Sequence, residues 1–170
     1  MQLFHHNTHF PKKRFPIVLI CDNVNKAPNV GSLFRTADAF GIEKIIFCGE
    51  RIPIGRRMTK TSRATEKTVN YELRDDIGKV INDLNSEGYH IIALEISSNS
   101  LSLHTFNFPP CPIALVLGGE NHGISEKVLK ACDTILHIQM FGQNSSMNVV
   151  QATSIALYEI SKQIMDNEQN

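Results

Sequence analysis

Apolar runs of about five residues recur along this chain, each too short for a buried helix and most followed by a stretch of helical spacing. Ile17-Val18-Leu19-Ile20-Cys21 and Ile113–Leu117 are continuously apolar, the pattern of strands covered on both faces. Lys44–Cys48, Val69–Leu73, His90–Ile96 and Thr134–Met140 read as further strands. Between them, Asn29–Gly41 places Val30, Leu33, Phe34, Ala37 and Phe40 on one side of a helix, with Gly41 as its stop. Helices are also predicted over Asp75–Glu87, Ser125–Ala131 and Ser146–Met165, the last with Val149, Ala152, Ala156, Ile160 and Ile164 at spacings of three and four. Residues 51–67 show no clear period. This alternation predicts an α/β fold, a mostly parallel sheet with helices on both faces, in which ligands bind beyond the carboxyl ends of the strands.

With 170 residues and no internal repeat, one domain over 16–166 is expected, with a flexible basic arm over 1–15 and a short tail over 167–170. Lys+Arg and Asp+Glu both number 17, so any case for nucleic acid must rest on a local patch. No apolar run approaches the roughly 18 residues of a membrane span, and Met1–Pro16 lacks the apolar stretch of a secretory leader. Cys21, Cys48, Cys111 and Cys132 stand far apart without zinc spacing, and the expectation is free thiols in a cytoplasmic protein without a metal. His5, His6 and His9 read as solvated side chains of the arm.

Chemistry concentrates in three loops. The first, Asn29-Val30-Gly31-Ser32-Leu33-Phe34-Arg35, opens a helix; its plain reading is Asn29 as N-cap and Arg35 as a solvated charge. The second, Leu117-Gly118-Gly119-Glu120-Asn121-His122-Gly123-Ile124-Ser125, ends a strand in paired glycines that let backbone approach a ligand. Gly118 and Gly123 have phosphate-loop spacing, but Ile124 stands where that loop needs lysine. The plain reading is a turn with Ser125 capping the next helix. The third, Ile138–Met147, enters the last helix through a Ser/Asn-rich stretch, in which Ser145 or Ser146 is the simple N-cap and Asn148 a first-turn residue.

Together the three loops resemble the SpoU (TrmH-type) branch of the SPOUT methyltransferases. Asn29, Arg35, Ala37 and Phe40-Gly41 match that family's first motif, and Gly118, Glu120 and Gly123 its second. Ile138, Met140, Gly142, Ser146, Asn148, Val149 and Ala152 match its third, with Gln139 in place of proline and Met147 in place of leucine. The resemblance spans roughly Ile17 to Met165. It implies a C-terminal deep trefoil knot, a homodimer with the first and last helices near its interface, and S-adenosylmethionine as cofactor. By position, Leu117, Gly118, Gly119, Ile138, Met140, Ser146 and Met147 would contact that cofactor.

The activity implied is methyl transfer to a ribose 2′-hydroxyl of a structured RNA, tRNA or rRNA. Arg35 and Asn29 would be the catalytic pair, with Glu120, Ser146 and Asn148 ordering the loops and the ribose. A guanidinium keeps its proton to above about pH 12. Arg35 therefore acts either as a transiently deprotonated base beside a substrate phosphate or by stabilising the developing alkoxide. The stretch Arg51–Lys67, with Arg56, Arg57, Lys60 and Arg63, is the local basic patch and the expected RNA contact; Lys12, Lys13 and Arg14 add to it. Two other readings stay open at this point: a non-catalytic RNA-binding SPOUT module, and a SPOUT enzyme that methylates a base nitrogen. A dehydrogenase is excluded by the lack of GxGxxG, and a serine hydrolase by the lack of GxSxG.

Overall fold

A computed structural model of the chain describes residues 10–168. Its strands are β1 (Phe15–Asp22), β2 (Ile42–Cys48), β3 (Tyr71–Arg74), β4 (His90–Leu94), β5 (Leu101–Ser102), β6 (Ile113–Gly118) and β7 (Thr134–His137). The helices are α1 (Ala27–Ala39), α2 (Arg56–Ser62), α3 (Ile77–Ser86), α4 (Glu126–Ala131) and α5 (Val149–Glu168). The strands form one seven-stranded sheet in the order β3-β2-β1-β6-β4-β7-β5, and every ladder is parallel. His5, His6, His9 and most of the expected arm lie outside the described residues, as do residues 169 and 170 of the tail. Phe15, placed by the sequence at the end of the arm, is the buried first residue of β1.

Each strand of the centre feeds both layers, because alternate side chains leave on opposite faces. Ile17, Leu19 and Cys21 of β1 join Leu115 and Leu117 of β6 under α1 and α5, packing on Leu33, Phe34, Ala156, Leu157 and Ile160. Val18, Ile20, Ala114 and Val116 leave on the other face and meet Val80, Ile81 and Leu84 of α3 and Val128 of α4. Capping sets several helix starts. The Asp76 carboxylate accepts from the Gly78 and Lys79 amides at the start of α3, and the Ser125 hydroxyl accepts from the Val128 amide at the start of α4. Gly41, at φ +60°, ends α1 as expected, in a conformation that costs glycine nothing.

Besides end shifts of two or three residues, as in β3, β4 and α5, three elements differ from the expectation. The last strand stops at His137 instead of running to Met140, because its neighbours end there: β4 pairs only to Leu136, and β5 reaches His137 with Ser102. Ile138–Met140 leave the sheet as loop. Strand β5 has no sequence signal, because two residues, one of them the exposed Leu101, carry no alternation. Within 51–67 stands α2, whose inward residues are Met58 and Ser62, one helical turn apart. Two positions are too few for a visible period.

Gly31 explains how α2 packs. It lies on the buried face of α1, and a Cβ there would stand 2.1 Å from the Thr61 hydroxyl and 2.4 Å from the Met58 carbonyl oxygen. The backbone of α1 at Gly31 meets the α2 backbone at Met58 and Ser62 and the Thr61 hydroxyl, with no room for a methyl group. Gly31→Ala is therefore expected to destabilise the fold by about 1–3 kcal/mol through overpacking, despite the better helix propensity of alanine. A lower urea midpoint at unchanged m-value would establish this, whereas an unchanged midpoint would show that α2 moves aside freely.

Candidate active site

Asn29 in the first turn of α1, Glu120 in the loop after β6 and Asn148 just before α5 meet in one hydrogen-bonded chain. The Asn29 side-chain amide donates to Glu120 Oε1, and the Asn148 Nδ2 donates to Asn29 Oδ1 at 3.2 Å. Asn148 Oδ1 in turn accepts from the Val150 amide at 2.8 Å, which caps α5. The direction of each amide follows from the end group. An ionised carboxylate only accepts, so Asn29 turns its NH2 towards Glu120, leaving its oxygen for Asn148, whose own oxygen is left for the helix. Two of the plain sequence readings are corrected here. Asn29 is not an N-cap, since α1 begins at Ala27 with Lys26 before it, and the cap of α5 is Asn148 rather than Ser145 or Ser146. Ser125, by contrast, caps its helix as read.

Beside this chain lies a cleft of about 530 Å³ at the carboxyl ends of β4, β6 and β7. All seven residues expected at a cofactor line it: Leu117, Gly118, Gly119, Ile138, Met140, Ser146 and Met147. Glu120 and Asn148 line it too, so the chain forms part of its wall. The glycines of the second loop also make room for protein backbone. A Cβ on Gly118 would stand 2.4 Å from the Gly123 carbonyl carbon, and one on Gly119 would stand 2.4 Å from the Asn23 carbonyl oxygen. The space they leave is filled by the loop itself and by the segment after β1. They shape the cleft by letting protein backbones close on one another.

The structure does not bring every expected residue to the cleft. Arg35 is exposed on α1, and among the described residues its side chain has no hydrogen-bond or ion-pair partner. Its six-residue offset from Asn29 turns it about 240° around the helix, away from Glu120. Arg56, Arg57, Lys60 and Arg63 are all exposed on or beside α2, likewise without an ion-pair partner among the described residues. In the arm, Lys13 is engaged by Glu168 of α5 and lies over the Phe15 ring.

Residues that the motifs passed over also line the cleft, among them Lys26, Leu94, Glu95 and His137. The rule that sites lie beyond carboxyl strand ends does not single out Glu95 and His137, since the sequence runs their strands on to Ile96 and Met140, whereas the structure ends them at Leu94 and His137. The thiols have no part in it. Burial pushes Cys48 and Cys132 up to about 12, and Cys21 higher still. Thiolates are therefore scarce at neutral pH.

Replacing the Asn29 amide by a carboxylate tests the chain of hydrogen bonds. In Asn29→Asp two carboxylates would face each other where one amide now donates, with a stability loss of about 1–3 kcal/mol at neutral pH. Adjacent carboxylates share a proton readily, so the loss is expected to shrink as pH falls through the carboxylate range. Urea unfolding of both proteins at pH 7.5 and 4.5 measures it, and a pH-independent difference would contradict a direct Asn29–Glu120 contact.

The model of the SpoU rRNA Methylase family matches residues 16–158. The tRNA (guanosine(18)-2′-O)-methyltransferase of Escherichia coli K12 is 29% identical over 154 residues, covering 89% of this chain and 66% of the relative. The 23S rRNA (guanosine-2′-O-)-methyltransferase RlmB of Ralstonia nicotianae is 30% identical over 149 residues, covering 87% of this chain and 59% of the relative. The chain thus spans about two thirds or less of the length of these relatives. Among solved structures, the A. aeolicus TrmH/SpoU tRNA modifying enzyme superposes with a TM-score of 0.84 at 25% identity, over 92% of this chain and 79% of that one. With the matched region running from β1 into α5 and containing all three loops, the chain belongs to the SpoU rRNA methylase family.

Proposed function

We propose that this protein is a cytoplasmic S-adenosylmethionine-dependent methyltransferase acting on a ribose 2′-hydroxyl of tRNA or rRNA. The observation that carries the reading is the convergence of Asn29, Glu120 and Asn148 on the wall of a cleft lined by every residue expected at the cofactor. The names of the relatives support the reaction class, since both transfer to a guanosine 2′-oxygen. The cleft also suits the cofactor chemically. Leu94, Ile138, Met140 and Met147 offer apolar surface for a purine, and Glu95 and Glu120 offer negative charge to a cationic methyl donor.

S-adenosylmethionine, when bound, supplies a methyl group already activated by its sulfonium. The chain's own task is to hold the 2′-hydroxyl in line and to help remove its proton. Asn29 and Asn148 are fixed by Glu120 and by the α5 terminus, and Ser146 stands on the same wall. These groups order the ribose and the loops. Arg35 stabilises the developing alkoxide or takes up its proton beside a substrate phosphate.

Arg35 lies outside the cleft of its own chain, and this favours a homodimer as the working form. Thr36, next to Arg35, packs on Ser154 of α5, and α5 exposes Ile155, Tyr158 and Met165 on one side. A second copy covering this surface would bury those side chains and deliver Arg35 to a cleft across the interface. The strand order supports the knot that the family implies, since β6 enters between β1 and β4 and β7 between β4 and β5. Exposed Arg56, Arg57, Lys60 and Arg63 form the RNA-phosphate surface. The 16–166 domain carries these functions, and the basic arm adds to RNA contact.

Transfer of labelled methyl from S-adenosylmethionine to total RNA of a strain lacking this gene tests the reaction. Label is expected in alkali-resistant dinucleotides and is expected to be lost in Arg35→Ala; label released by alkali as mononucleotides would point to a base-methylating enzyme. Cofactor binding without transfer to any RNA would favour the non-catalytic module. For the RNA surface, the double variant Arg56→Ala/Lys60→Ala is expected to weaken RNA binding about tenfold or more at low salt. Its log K against log salt slope should be shallower by about 1 per lost phosphate contact. Equal slopes would remove α2 from the interface.

A further inference from the structure

Glu95 follows the last residue of β4 and lines the cleft, yet no motif of the family reading includes it. Its carboxylate is held at two points. Oε1 accepts from the Ile96 amide at 3.0 Å, and Oε2 accepts from the Ile124 amide, beyond the glycine loop, at 3.1 Å. Gly123, at φ +60°, closes on the same group, and a Cβ there would stand 2.5 Å from Glu95 Oε2. The carboxylate cannot swing towards solvent without giving up both amide donors. A carboxylate offers about four lone-pair positions, so two remain after the backbone is satisfied. The other carboxylate of the wall, Glu120, is held by a side chain, the Asn29 amide, rather than by backbone amides.

We propose that Glu95 is the residue by which the cleft distinguishes the cationic methyl donor from its neutral demethylated product. This rests on the S-adenosylmethionine reading of the cleft. The donor carries a sulfonium, an ammonium and one carboxylate, for a net charge of +1. The product keeps the adenosine and the amino acid and loses only the methyl group and the sulfonium charge, for a net charge of zero. A fixed negative charge in a partly enclosed wall attracts the first and is nearly indifferent to the second. Holding the glycine loop is a separate consequence of the same hydrogen bonds, and it serves both ligands alike. Glu95 is thus a specificity residue whose charge favours donor entry and product release.

Titration calorimetry of the full chain with S-adenosylmethionine and with S-adenosylhomocysteine separates these roles. Wild type, Glu95→Gln and Glu95→Ala are compared at pH 7.5 and low salt, with thermal melts confirming that each is folded. Gln is nearly isosteric and keeps an acceptor for one amide; Ala removes charge and tether together. The ratio of the two dissociation constants is expected to shift against the donor by about five- to tenfold in both variants, the effect of one partly screened charge. Equal weakening of both ligands, or no change in either, would overturn the proposal and leave Glu95 as a loop tether or a bystander. A wild-type chain that binds neither ligand would bring down the cofactor reading itself, before any variant is considered.

Discussion

Strand β6 is hydrogen-bonded to β1 on one side and to β4 on the other along nearly its whole length, from Ile113 to Leu117 or Gly118. Almost every side chain it carries is fully buried, as are those of β1. Because all its ladders are parallel, the sheet sends every carboxyl end to the same edge. The loops after β4, β6 and β7 therefore have to meet. Their meeting place is the cleft, and the long sequence separation of its walls, from Lys26 to Ala152, follows from this one arrangement. A break in the centre of the sheet would move each wall independently.

At that edge, backbone approach and polar satisfaction do the fine work. Gly118, Gly119 and Gly123 let the second loop fold back on itself and press against the segment after β1 and against Glu95. Glu120, Asn29 and Asn148 then satisfy one another in a fixed order that ends on the first turn of α5. Asn29 and Glu120 are half-buried and Asn148 is exposed, and the hydrogen bonds that link them hold the members of the chain to one geometry. The same residues pin three distant segments together: the first turn of α1, the loop after β6 and the start of α5.

The outer surface follows a different logic. Helix α2 buries Met58 and Ser62, lays its backbone against Gly31 and leaves Arg56, Arg57 and Lys60 to solvent. A chain with as many acidic as basic residues can still hold a cationic face when one short helix segregates its charges in this way. Helix α5 is likewise divided. Ala156, Leu157 and Ile160 are buried in the core while Ile155, Tyr158 and Met165 stand exposed. The longest helix of the fold thus carries apolar groups on its solvent side as well as in the core.

The sequence by itself determined the α/β class, the positions of the long strands and helices, and the three loops at which chemistry gathers. Continuous apolar runs such as Ile17–Cys21 and the spacing of Val149, Ala152, Ala156 and Ile160 are local signals, and burial enforces them. The residues Asn29, Glu120 and Asn148 were legible as candidates, but not as partners, since 91 and 119 positions separate Asn29 from the other two. Only the tertiary structure decided that Asn148 caps α5 while Asn29 does not cap α1, that the glycines make room for protein backbone, and that Glu95 is locked into the cleft wall. It also placed Arg35 away from the cleft of its own chain. Hydrogen bonds and close contacts between distant segments depend on sheet order, and no period or spacing along a single chain encodes that order.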